Sequence, residues 1–241
     1  MEEEEQLFDT AVIFAANINY DDQLQSPIIH LNTEVTALLD DNIEKVQELQ
    51  AKGIKVVLDI LGNHQNAGWA CFSDEQEIND FADLVKVTVD KYNLDGIDID
   101  DEYSTCKTND DSLIKISKAI KDRMPDKLLT KALYADSTYF NANWNNQTLG
   151  DQLNYGWEMS YSNSSCTARL NQYVTAGVDL NKLGVGASTV ITSANTAKEL
   201  AACAMENGFN GGMMIFNVTS SSLSYLQKIW KGVTAKPSCL S

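Results

Sequence analysis

The chain has 241 residues, 44% hydrophobic and 22% charged, with a mean hydropathy of −0.25, and this describes a soluble globular chain. Thirty-four acidic residues against 18 basic ones give a formal net charge of −16, which argues against nucleic acid and anionic membrane surfaces as partners. No apolar run approaches the roughly 20 residues that span a bilayer, and with three prolines and 13 glycines no long disordered linker is expected.

In chain order, the opening MEEEEQLF lacks the positive start and apolar core of a signal peptide. That leaves two expectations: an intracellular chain, or one whose leader was removed. The first predicted strand is Thr10–Ala16. A helix over 42–52 carries Ile43, Val46 and Leu49 on one stripe and stops at Gly53. A strand over Ile54–Leu61 leads to a helix over 75–91 built on Ile78, Phe81, Leu84, Val85 and Val89. Next come a strand over Gly96–Glu102 and a helix over 111–124 with Leu113, Ile116, Ile120 and Met124. Strands over Leu128–Tyr134, Tyr155–Tyr161 and Leu183–Ser188 follow. A helix over 196–207, a strand over Gly212–Val218 and a helix over 221–231 with Leu223, Leu226 and Trp230 complete the order. Strands alternating with helices imply a parallel sheet with helical crossovers. No GxGxxG follows a strand and no GxxxxGK[ST] is present, so a nucleotide-binding open sheet is the weaker reading. The expected fold is α/β, a (β/α)8 barrel over a single domain, 1–241, with seven strands counted and the first lacking or altered.

Five acidic residues fall within the nine of LDGIDIDDE, residues 94–102. Burying like charges is costly, and a chain accepts it where chemistry needs it. Side chains alternate along a strand, so Asp98, Asp100 and Glu102 share one face while Ile97 and Ile99 take the other. In a barrel the first face points inward, with Glu102 at the mouth and Asp100 and Asp98 successively deeper. Carboxylates about 7 Å apart along one strand cannot all ionise easily, so at least one should hold a proton near neutral pH. An acid beside a carboxylate is what glycosidic bond cleavage uses. The competing reading is a Ca2+ loop or a solvated acidic turn. The DxDxDG spacing of an EF-type loop is absent, and no CxxC or Cys/His cluster suggests a metal.

DGIDIDDE fits the pattern DxxDxDxE and resembles the signature of glycoside hydrolase family 18. The segments FDTAVIFAANINYD (8–21), GIKVVLDILGNHQNAGWACF (53–72) and NLDGIDIDDEY (93–103) resemble one branch of it, the endo-β-N-acetylglucosaminidases of the endoglycosidase H type. ANINYD and LGNHQ point to the branch, because typical chitinases carry a different loop there. The likeness is strong over residues 8–125 and loose beyond. It implies cleavage between the two N-acetylglucosamines of an N-linked glycan core, by a retaining, substrate-assisted mechanism without metal or organic cofactor. Glu102 would protonate the leaving oxygen, Asp100 would orient the acetamido nitrogen, and Asp98 would tune Asp100 from below. A tyrosine on the sixth strand would hold the acetamido carbonyl; Tyr161 is the better match and Tyr134 the runner-up. The implied partner is an N-linked glycoprotein or glycan, with oligomeric state open. Members of this type are typically secreted, which the sequons at Asn146, Asn163 and Asn217 suit. A chitinase, or a carbohydrate-binding barrel that has lost catalysis, is the alternative.

Other residues have two readings each. Asn63 and His64 follow the third barrel strand at the expected mouth; a lone His is usually structural, and the position of this loop gives substrate contact as the other reading. Trp69 either stacks on a sugar or packs. Trp157 and Trp230 read as core. Phe216 and Asn217 end the last strand and are expected as the floor of the sugar site, in which case Asn217 carries no glycan. Cys71–Cys106 and Cys203–Cys239 are conceivable bridges, against five reduced thiols. Three departures from the family pattern stand out. Only MEEEEQLFDT precedes the AVIFAAN strand, where relatives have another strand. Asp59 sits where relatives carry a small polar residue, adding negative charge beneath Asp98 if it points inward. Lys131 falls in the fifth strand, either paired with an inward carboxylate or facing out.

Overall fold

A computed structural model describes residues 6–233. The chain divides into two compact units. One contains the residues up to Ala132 together with Thr138–Asn154. The other contains Leu133–Ser137 and the residues from Tyr155 on.

In the first unit the strands are β1 (Thr10–Asp21), β2 (Ser26–Leu31), β3 (Lys55–Gly62), β4 (Gly96–Asp100) and β5 (Leu128–Leu133), in the order β2-β1-β3-β4-β5. β1 pairs parallel with β3, β3 with β4 and β4 with β5. Each parallel step is made by helices: α1 (Thr33–Leu39) and α2 (Ile43–Ala51) before β3, α3 (Glu75–Lys91) before β4, and α4 (Ser112–Arg123) before β5. The short α5 (Leu149–Gln152) ends the unit. Local chemistry sets these boundaries. Asn32 and Asp74 cap α1 and α3 by accepting from the Val35 and Glu77 backbone N–H groups. α3 buries Ile78, Phe81, Ala82, Val85 and Val89, the spacing of one helical face.

The second unit holds β6 (Tyr155–Glu158), β7 (Leu183–Ser188) and β8 (Met213–Phe216), all parallel. Its helices are α6 (Cys166–Thr175), α7 (Ala194–Glu206) and α8 (Leu223–Val233). Ala187, Ala197, Ala201 and Ile229 form a small core against which Met213, Ile215 and Tyr225 pack. Among the described residues no helix is long and apolar enough to cross a membrane.

The predicted strands all exist: β7 has the predicted bounds, Leu183–Ser188, and the others have changed ends. β1 continues to Asp21 and turns into the unpredicted β2, pairing antiparallel from Ala16↔Leu31 to Asp21↔Ser26. SPIIHL has no alternation and contains Pro27, which hides it as a strand; at a sheet edge the missing N–H is tolerated. β4 ends at Asp100, so Glu102 lies beyond the sheet, and β6 ends at Glu158, short of Tyr161. Helices α1 and α6 lie outside the predicted set: α1 has only seven residues, about two turns, and the buried face of α6 runs Cys166, Arg169, Leu170 and Tyr173, so a charged residue interrupts its apolar stripe.

Candidate active site

The register across β3, β4 and β5 builds the site. Asp59, Asp98 and Thr130 lie in one row; Leu61, Asp100 and Ala132 lie in a row nearer the C-terminal strand ends. Residues in register on parallel strands project to the same side, so three carboxyls and a hydroxyl share one face. Asp59, Asp98 and Asp100 are 1%, 6% and 4% exposed. The Thr130 hydroxyl donates to Asp98 Oδ1, and Asp98 is also hydrogen-bonded to the Asp59 carboxyl.

Burial dominates the protonation of all three. It raises Asp98 to about 6, against the hydrogen bonds from Thr130 and Asp59 and the Lys131 charge, which pull it down. It raises Asp100 to about 7, helped by the negative charges of Glu102 and Asp98 and opposed by Lys131. Asp59 is pushed well above the carboxylate range by burial and then by the charges of Asp98 and Asp100. Lys131 is buried, and its Nζ donates to the Ala132 carbonyl at 2.9 Å. It therefore neither faces solvent nor stands idle: its ammonium offsets the carboxylates. Asp100 Oδ1 is buried with no hydrogen-bond partner among the described residues. A bare carboxyl oxygen in a packed interior is costly, and at a strand's C-terminal end it suits a donor on a bound substrate.

Glu102 is half-buried just past β4. Gly62, at the end of β3, lets its backbone approach: a Cβ there would run into the Glu102 carbonyl oxygen and Ser104 Oγ. Gly68 makes the same allowance for Ser104. The loops after β3 and β4 are fastened together. His64 N–H donates to the Tyr103 carbonyl at 2.7 Å and Thr105 N–H to the Gln65 carbonyl at 3.0 Å. The Ala70 N–H donates to Asp101 Oδ1 at 3.3 Å, and a Cys71–Cys106 disulfide spans them, Cα atoms 6.0 Å apart.

Of the residues expected to bind substrate, Asn63 donates to Asn19 Oδ1 at 2.9 Å, joining the end of β3 to that of β1. His64 is exposed, in the left-handed region at φ 52°, with its ring 5.4 Å from that of Tyr103. Trp69 is a correction. It is fully buried, donates to the Ile60 carbonyl at 2.7 Å and meets Phe81 edge-on, so it packs the core and offers no face to a sugar. Tyr103, 54% exposed and adjacent to Glu102, and Asn19 were not singled out from the sequence. The aromatic next to the predicted acid was the available signal for Tyr103.

In the second unit Tyr161 follows β6, its ring stacked on Phe216 at the end of β8, centroids 5.8 Å apart and planes 10° from parallel. The Thr192 hydroxyl donates to the Tyr161 carbonyl at 2.7 Å. Asn217 is exposed at φ 63°, and its carbonyl accepts from Thr189 Oγ1 at 2.8 Å. Tyr134, just past β5, is 53% exposed. A buried Glu158–Arg169 pair supports the end of β6: Arg169 also donates to the Gly186 carbonyl at 2.8 Å, and the Ser160 N–H donates to Glu158 Oε2 at 3.0 Å. Cys203 bonds Cys166, not Cys239 as expected; Cys239 lies outside the described residues. Among the described residues no three His, Cys, Asp or Glu side chains group as metal ligands.

Buried acids ranked along a parallel strand, below a half-exposed glutamate at its C-terminal end, mark a glycoside hydrolase of the α/β-barrel kind. The chain belongs to the glycosyl hydrolases family 18, whose model matches residues 3–233. It is 37% identical over 232 residues to an endo-beta-N-acetylglucosaminidase of Flavobacterium sp. (strain SK1022), covering 90% of this chain and 68% of that one. It is 33% identical to endo-beta-N-acetylglucosaminidase F1 of Elizabethkingia meningoseptica, covering 93% and 69%. Two crystal structures of EndoBT-3987 from Bacteroides thetaiotamicron are 27% identical to it. The structure with Man5GlcNAc product superposes with a TM-score of 0.72 over 89% of this chain. The structure with Man9GlcNAc2Asn substrate superposes with a TM-score of 0.69 over 86%. The chain spans about half the length of those EndoBT-3987 chains, 50% and 52%. The fold class is accordingly the (β/α)8 barrel type, altered at its start, where β1 turns back into the antiparallel β2.

Proposed function

We propose that the chain is an endo-β-N-acetylglucosaminidase that hydrolyses the GlcNAc-β1,4-GlcNAc core bond of N-linked glycans with retention, leaving one N-acetylglucosamine on the asparagine. The observation that carries this reading is the carboxyl series Asp98–Asp100–Glu102, with a buried Asp100 oxygen that has no hydrogen-bond partner among the described residues, followed in the chain by the half-buried Glu102. Protonated Glu102 gives its proton to the glycosidic oxygen as the bond to the anomeric carbon breaks. The substrate's acetamido oxygen takes that carbon from the opposite face, closing an oxazolinium ring. Asp100 accepts a hydrogen bond from the acetamido N–H and balances the positive charge that develops there. Asp98, held by Thr130, fixes Asp100 from below. Glu102, now a carboxylate, takes a proton from water as that water opens the ring at the anomeric carbon, restoring the acetamide and the original configuration. The family resemblance assigns Tyr161 to the acetamido carbonyl; within its own unit the ring is backed by Phe216. Asn63, His64 and the exposed Tyr103 are assigned to the sugars.

The Man9GlcNAc2Asn substrate of EndoBT-3987 recommends a high-mannose glycoprotein as the first test. Ribonuclease B incubated with the protein should lose its glycan down to one N-acetylglucosamine by mass spectrometry. Glu102→Gln should slow this by about 10²–10⁴-fold, the usual worth of a general acid. No mass change with folded protein would overturn the proposal. Secretion is proposed with it: bridges across 35 and 37 residues suit an oxidising compartment. Free thiols at all four positions in protein recovered from its native source would contradict that.

A further inference from the structure

Asp59 lies directly beside Asp98 in the β3–β4 register and is 1% exposed. No step of the reaction above uses it. A hydrogen bond between two carboxyls requires a proton between them, and the surroundings decide which carboxyl keeps it. Asp98 receives the Thr130 hydroxyl and feels the Lys131 ammonium. Asp59 Oδ2 is buried and receives nothing among the described residues. An ionised Asp59 would leave a charged oxygen unsolvated, whereas a neutral acid leaves only a carbonyl oxygen so.

We propose that Asp59 is a positioning residue for this reaction: a neutral carboxylic acid whose O–H donates to the Asp98 carboxylate, holding Asp98 ionised and oriented under Asp100. This rests on the hydrolase reading and deepens it. The groups facing Asp59 agree. From β4 come Asp98 and Asp100, and from the segment after it Glu102, all of which favour the neutral form. β5 contributes Thr130 and Lys131 on the far side of Asp98. β1 pairs with β3 on either side of this level through Ile13 and Ala16, neither of which titrates. With the extra acid in place, Asp98 needs no proton of its own. The single proton exchanged near neutrality then belongs to the Asp100–Glu102 end, where the substrate sits.

The test uses Asp59→Asn and Asp59→Leu. An Asn amide can still donate to Asp98 without charge, so D59N should keep both limbs of the kcat/KM pH profile in place. Leu removes the donor, so D59L should move the acid limb upward by about one pH unit, the size of one hydrogen bond to a charged group. Both limbs moving to lower pH in D59N would show that Asp59 is an anion and overturn the proposal. Coincident profiles for all three proteins would overturn it equally. Infrared spectroscopy at about pH 9, where ordinary carboxyls are ionised, reads the same proton without substrate. A protonated-carboxyl stretch present in the unsubstituted protein and lost in D59N is expected, and its absence from both would be fatal. That measurement stands even if ribonuclease B is untouched, and even if D59L does not fold.

Discussion

At the scale of single residues, Gly62 and Trp69 carry opposite lessons. Gly62 has no side chain because the Glu102 backbone occupies the space a Cβ would take. Gly62→Ala should therefore displace the acid itself. A shift near 1 Å is worth about 100-fold in rate, so kcat on a glycopeptide should fall by about that factor, and an unchanged kcat would refute the positioning argument. Trp69 acts through packing alone. Trp69→Ala should cost about 3–5 kcal/mol by chemical denaturation, while the protein that remains folded keeps its KM. A raised KM with undiminished stability would restore the sugar-stacking reading.

At the scale of elements, the strands are held by pairing and the loops that carry function are held by cross-links. Cys71–Cys106 closes a span of 35 residues that contains α3 and β4 and fastens the loop bearing Asn63 and His64 to the one bearing Glu102. Its replacement by two serines should cost about 3–4 kcal/mol through the freedom returned to the unfolded chain, measured by urea unfolding, and should lower activity under conditions where the protein is still folded. In the second unit the completely buried Arg169 pairs with Glu158 and ties β6 to the Gly186 carbonyl of β7. Arg169→Met leaves Glu158 buried without its cation. A loss of about 3–5 kcal/mol is expected; stability within 1 kcal/mol of the unsubstituted protein would refute the pair as a support of β6.

At the scale of the whole molecule, the site and the stability share one set of protons. Asp98 and Asp100 are raised to about 6 and about 7, against about 3.9 when unfolded. The folded chain retains protons that the unfolded chain releases, so stability declines as pH rises above about 4. The contribution of these two groups levels off above about 7, where both have ionised in the fold. Tm should fall across that window, and the fall should be shallower in Asp98→Asn/Asp100→Asn. An identical slope in the double variant would assign the effect to the general charge of −16 instead.

The sequence by itself determined the seven parallel strands, the acid series and the family, because strand alternation, helical stripes and the spacing DxxDxDxE are properties of neighbouring residues. It placed Glu102 on the strand, although the sheet ends at Asp100. Only the tertiary structure decided what lies across the sheet. Register brings Asp59 beside Asp98, a distance of 39 positions that no local pattern spans. Burial made Trp69 core and Lys131 a counter-charge, since exposure depends on what packs above a residue rather than on its type. Cys203 chose Cys166 for the same reason: connectivity follows from which Cα atoms the fold brings within about 6 Å, and spacing along the chain does not record that.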